Sequence, residues 1–95
     1  MTGTVGNADR WRARFLGAND VPSAPDGNVT WTVYDARGNE IEGAGREQPK
    51  DEMTEDSWFE FVYVPTTPQS YRVKASADVG GVPQASDAVL RRVVP

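Results

Sequence analysis

The sequence has no cysteine and no histidine among its 95 residues. Without cysteine there is no disulfide to hold a fold and no thiolate to act as nucleophile or metal ligand. Small secreted domains often carry disulfides, so their absence favours folding in the cytosol. Without histidine the chain lacks the usual general base near neutral pH and the commonest metal ligand. These gaps in the acid–base inventory set an expectation of no enzyme, no catalytic residue, no metal and no cofactor. Positive charge is also short: ten Lys and Arg stand against fourteen Asp and Glu, for a formal net charge of −4. That balance disfavours nucleic acid as a partner, because phosphate neutralisation drives such binding. The strongest apolar stretch, Phe61 to Val64, is far below the roughly 20 residues of a membrane-spanning helix, so no membrane is expected. Met1-Thr2-Gly3-Thr4-Val5-Gly6 lacks the basic and apolar regions of a signal peptide. A starting methionine without a signal suggests a complete small gene product, although a cloned domain would look the same.

What remains is strand-forming. The length fits one domain, and size scaling has it bury about 64% of its unfolded surface, enough for one core. Residues 1–8 are small and polar and read as a flexible arm; residues 9–95 form the domain. From Asp9 to Gly17, Trp11, Ala13 and Phe15 share one face while Arg10, Arg12 and Arg14 share the other, the period of a half-buried strand. Asn19 to Gly27 is dense in turn residues and reads as a loop. Val29, Trp31 and Val33 alternate with Thr30, Thr32 and Tyr34. The turn Asp35-Ala36-Arg37-Gly38-Asn39 then leads to a short return strand, Glu40-Ile41-Glu42, making a hairpin.

Arg46 to Ser57 is irregular and acidic. It reads as a loop, with room for a single helical turn near Lys50 to Met53. Trp58 to Val64 puts Phe59, Phe61 and Tyr63 on one face; the other, with Trp58, Glu60, Val62 and Val64, is more apolar than a solvated face should be. Proline stops this strand at Pro65. Tyr71, Val73, Ala75, Ala77 and Val79 alternate with polar residues up to a Gly80-Gly81 hairpin turn. Val82 to Val94 carries one long strand or two short ones. No segment holds a 3.6-residue period over three turns, so essentially no helix is expected. Six to seven short strands separated by turn signals predict an all-β, antiparallel sandwich.

Three segments carry a resemblance. They are Asn28-Val29-Thr30-Trp31-Thr32-Val33-Tyr34-Asp35-Ala36-Arg37-Gly38-Asn39, Trp58-Phe59-Glu60-Phe61-Val62-Tyr63-Val64-Pro65-Thr66-Thr67-Pro68, and Tyr71-Arg72-Val73-Lys74-Ala75 with its Gly-Gly hairpin. In this order they resemble immunoglobulin-like domains of bacterial surface proteins. They also resemble small stand-alone virion proteins of tailed phages, especially phages of actinobacteria. Tyr71, after a proline-rich corner, is similar to a tyrosine corner, though the cysteine pair of antibody domains is missing. The resemblance covers roughly residues 9–94. It implies an all-β, antiparallel immunoglobulin-like sandwich of six to seven strands, and no catalytic residues.

Candidate binding residues follow from the two unusual faces. Arg10, Arg12 and Arg14 recur about 7 Å apart along one strand face, suited to a carboxylate-rich partner or to blunting a sheet edge. Trp58, Val62 and Val64 suggest a partner surface, or cover by a neighbouring loop; tryptophan is the residue most enriched in binding hot spots. Trp11 and Trp31, on the apolar sides of their strands, are expected in the core. Asp51, Glu52, Glu55 and Asp56 supply oxygen ligands of the type calcium takes, but no EF-hand spacing, so a solvated loop is the expectation. The combined expectation is a non-enzymatic structural protein of a bacteriophage virion, made in the host cytoplasm. It would bind major capsid, head–tail or tail proteins in a symmetric multi-copy assembly, as a decoration protein or an accessory subunit. The alternative is an extracellular recognition module binding carbohydrate or a surface protein, with Trp58 and Tyr34 as its ligand-facing aromatics.

Overall fold

The alternating segments become strands in the computed structural model, which describes residues 8–66 and 69–85 and the backbone of 2–4 and 89–94. The strands are β1 (Thr2–Thr4), β2 (Asp9–Ala13), β3 (Val29–Asp35), β4 (Arg46–Gln48), β5 (Phe59–Tyr63), β6 (Ser70–Val79), β7 (Val82–Ala85) and β8 (Val89–Val94). Among the described residues the only helical pieces are two 3₁₀ turns, Ala18–Asp20 and Lys50–Glu52. The larger sheet runs β1-β8-β6-β3-β4, with β7 also paired to β6; β2 and β5 form a separate pair. Every pairing is antiparallel except β1 with β8.

Strand β6 shows why the sheets face each other. Tyr71, Val73, Ala75, Ala77 and Val79 are buried, while Arg72 and Asp78 between them are exposed. In register beside this row, Trp31 lies opposite Ala75 and Val33 opposite Val73. The small sheet answers with Trp11 opposite Phe61 and Ala13 opposite Phe59. Aromatic contacts cross from one layer to the other: Trp31 stacks on Phe61 (centroids 5.1 Å apart) and Trp11 meets Tyr71 edge-on (6.1 Å). Burying each such side chain contributes about 1.5–3 kcal/mol. The Tyr71 hydroxyl donates to the Asp9 carboxylate, a further link between the layers.

The structure corrects the sequence reading in three places. Thr2–Thr4, within the segment read as a flexible arm, is a strand beside β8. Arg46–Gln48, read as loop, is the return strand that pairs with Val29–Trp31. Glu40 makes only an isolated bridge with Tyr34. The described chain therefore has eight strands in place of six to seven.

The cause of the β4 correction is tertiary. Gln48 is 3% exposed. Its Oε1 accepts a hydrogen bond from Trp31 Nε1 (2.8 Å), and its Nε2 donates to the Glu60 carbonyl on β5 (3.3 Å). Just before it, Gly45 lies so close to β3 that an added Cβ would sit 2.2 Å from the Trp31 carbonyl oxygen. A burying amide and an absent side chain thus hold a strand that has no strand-forming residues of its own.

Two turns owe their shape to aspartates. Asp35 Oδ1 accepts the Arg37 and Asn39 amides (both 2.9 Å), and Gly38 takes φ +85°. Asp26 accepts the Gly81 amide (2.8 Å) and the Gly80 amide (3.0 Å), stapling the β6–β7 turn to the chain leading into β3. Those bonds, from Gly81 first and then Gly80, hold the Asp26 carboxyl below its ordinary value of 3.8. A carboxyl depressed on folding stabilises above its unfolded pKa and loses that contribution as pH falls through the folded value. Denaturant midpoints measured downward from about pH 5 should therefore fall as pH passes below the 3.8 range. In Asp26→Asn this part of the acid sensitivity should vanish, and the variant should be the less stable protein at neutral pH.

Candidate partner-binding face

Period two puts alternate residues of β2 and β5 on the side away from the core. The antiparallel register then sets Arg10 beside Val62 and Arg12 beside Glu60. Arg14 follows β2 on the same side, and Trp58 precedes β5. The two candidate stripes are therefore one surface: Arg10, Arg12, Arg14, Trp58, Val62 and Val64 all belong to the outer side of the two-stranded sheet. Val62 and Val64 are 46% and 47% exposed, and no described loop covers them. Trp58 is half-buried.

The local chain explains how Trp58 is held. Thr54 N–H donates to the Trp58 carbonyl (2.8 Å), and Trp58 N–H donates to Thr54 Oγ1 (3.1 Å). Glu55, Asp56 and Ser57 make the tight turn between them, with Ser57 at φ +67°. Arg14 Nη2 donates to the Asp56 carbonyl (2.7 Å), tying this turn to β2. The indole ring then lies against two guanidinium groups, with Cζ of Arg14 4.2 Å and Cζ of Arg12 4.5 Å from its centroid. Each exposed cation–π contact contributes about 0.5–1 kcal/mol. Arg12 also reaches Glu60 Oε1 at 3.5 Å, with both side chains about half exposed (51% and 49%), so this pair adds little. The result is an aromatic post braced by arginines where β5 begins, with Val62 and then Val64 farther along the chain on the same side.

Trp11 and Trp31 are buried, as read from the sequence. Tyr34 is not near Trp58. It lies on β3 facing out from the larger sheet, so the two aromatics proposed for a carbohydrate platform stand on opposite sides of the sandwich. Among the described residues no group of three or more carboxylates comes together to hold a metal. Glu52 instead pairs with Arg46 at 3.3 Å. Sequence reasoning missed Thr54 and Asp56 as the residues that position Trp58. The available signal was the turn chemistry of Thr54-Glu55-Asp56-Ser57, whose side chains readily close local hydrogen bonds.

Set against models of known families, curated proteins and solved structures, the chain matches none.

Proposed function

We propose that this protein is a non-enzymatic structural component of a tailed-phage virion, docked on neighbouring virion proteins as a capsid decoration or a head–tail or tail accessory subunit. The observation that carries the adhesive part of this reading is the single face built by Arg10, Arg12, Arg14, Trp58, Val62 and Val64. Aromatic and arginine side chains are the types enriched at interfaces and hot spots. On a chain of net charge −4 this face holds three arginines against Glu60, which suits a carboxylate-rich neighbour.

We further read the sandwich as immunoglobulin-like. In that frame strands C, F and G are neighbours in one sheet and B pairs E in the other. The order β3-β6-β8 and the pair β2–β5 fit those positions. Tyr71 near the start of β6 fits the position of the corner tyrosine, although its hydroxyl reaches Asp9 across the layers. The virion setting is supported by the motif resemblance described above.

Co-sedimentation with candidate phage particles tests the reading. Saturable binding is expected, in hundreds of copies per particle for a capsid coat or a few for a neck or tail subunit. Trp58→Ala should weaken it by roughly 30-fold, the equivalent of a ~2 kcal/mol hot spot. A folded protein that binds no particle and is absent from purified virions would overturn it.

A further inference from the structure

Antiparallel pairing points the main-chain groups of alternate residues toward the partner strand and those between them away from it. Two residues show which set of β5 points away from β2. The Trp58 carbonyl accepts the Thr54 amide (2.8 Å) and the Trp58 amide donates to Thr54 Oγ1 (3.1 Å). The Glu60 carbonyl accepts Gln48 Nε2 (3.3 Å). By alternation Val62 turns its main chain the same way. Their register partners on β2, Arg12 opposite Glu60 and Arg10 opposite Val62, therefore turn their amides and carbonyls away from β5.

The two outer edges of the small sheet are thus unlike. The β5 edge is closed at Trp58 by Thr54 and at Glu60 by Gln48. The β2 edge is open: among the described residues no hydrogen bond reaches the main-chain groups of Arg10 and Arg12, and both residues are exposed. An open edge is a template for a further strand. The side chains of β2 state what kind of strand. One laid along this edge would put alternate side chains beside Arg10 and Arg12 on the outer side. Those between would stand beside Trp11 and Ala13, which are buried on the inner side. Directly opposite residues have Cβ atoms about 4.5–5.5 Å apart, so a carboxylate there reaches a guanidinium. Arg10 makes no ion pair among the described residues, and Arg12 meets only the half-exposed Glu60. A second copy presenting its own β2 would set arginine against arginine, and like charges directly opposite are destabilising. The stripe therefore rejects basic strands, this chain's own β2 among them, and admits an acidic one.

We infer that the outer edge of β2 binds an extended segment of a neighbouring protein by strand addition. The segment alternates acidic side chains, which face Arg10 and Arg12, with apolar ones, which continue the core past Trp11 and Ala13. This rests on the proposed docking role of the β2–β5 face and specifies its partner. Main-chain hydrogen bonds hold the added strand, and its alternate side chains decide whether it is accepted. The two-stranded sheet becomes three-stranded.

Titration of the ¹⁵N-labelled full chain with a short capped peptide of alternating glutamate and valine tests this. Saturation is expected below about 1 mM peptide. The Arg10 and Arg12 amide signals should shift and their exchange with solvent should slow, because they gain acceptors. The Trp11 amide, already directed at β5, should change little. A lysine–valine peptide of the same pattern should bind at least about tenfold more weakly. N-methylation of the glutamate amides and N-methylation of the valine amides should differ in affinity by at least about tenfold, because only one set faces β2. No saturation in that range, a lysine peptide bound as well as the glutamate one, or equal affinity for the two methylated forms would overturn the inference. A protein that sediments with phage particles but takes no peptide at β2 would overturn only this inference. One that takes the peptide and ignores every particle would overturn only the virion role.

Discussion

Phe59→Ala is expected to lower stability by about 3–5 kcal/mol, the range for truncating a buried aromatic. Phe59 is fully buried, at 0% exposure, and meets Phe15 edge-on with centroids 6.0 Å apart. Its cross-strand neighbour is Ala13, which is too small to fill the space left behind. The small sheet has only two strands, so little flanking structure can collapse into the cavity. A chain of this length has about 5–14 kcal/mol to lose, so the variant should melt roughly 12–40 °C lower or fail to fold. The same truncation at Val62, nearly half exposed, removes few packed atoms and should cost under ~1 kcal/mol. Thermal melts of the two variants side by side separate core packing from a general loss of strand propensity. Equal losses would show that the interior has been misplaced.

The second large effect is at Gly45. An alanine there would put its Cβ 2.2 Å from the Trp31 carbonyl oxygen, with the Trp31 carbonyl carbon at 3.2 Å and Thr32 Cα at 3.3 Å. These are backbone atoms of the central strand β3, so the added methyl cannot be relieved by turning a side chain. The β4 segment must move off, and with it goes Gln48, which holds the Trp31 indole N–H and the Glu60 carbonyl. Gly45→Ala should therefore cost about 2–3 kcal/mol, the upper part of the range for overpacking. The indole N–H signal of Trp31 should shift or broaden in a ¹H–¹⁵N spectrum while that of Trp11 changes little. Gly27→Ala is the control, because nothing stands within 4 Å of a Cβ placed there. A Gly45→Ala protein as stable as that control would mean β4 is not held against β3 as described.

The same two positions mark how far the sequence could be read. Phe59 and its alternating partners were legible because a period of two states which side of a strand is apolar. The long run from Tyr71 to Val79 was legible for the same reason. Arg46-Glu47-Gln48 was not, since none of its residues favours strands; it is a strand because Gln48 has a buried indole to satisfy and Gly45 permits the approach. Thr2-Gly3-Thr4 was equally silent, its partner lying some ninety residues away. The candidate face was legible in halves. Alternation gave the arginine stripe and the Trp58–Val62–Val64 stripe separately, but period two says nothing about which strand pairs with which. Only the β2–β5 register brings the guanidinium groups onto the indole. Tyr34 failed as a companion to Trp58 for the same reason: both face outward, from different sheets.

The parallel pairing of β1 with β8 also fixes an order of events during synthesis. Thr2 is in register with Arg92 and Thr4 with Val94, so the earliest-made strand has no place to settle until the latest one exists. At roughly 5–20 residues per second, that wait is on the order of 5–20 s. The β2–β5 and β3–β6 ladders do not share that wait, because both strands of each lie between Asp9 and Val79. The sheet is therefore completed at its β1 edge last, and a nascent chain stalled short of residue 89 would carry Thr2–Thr4 without its partner strand, open to proteases and to the β8 edge of another copy.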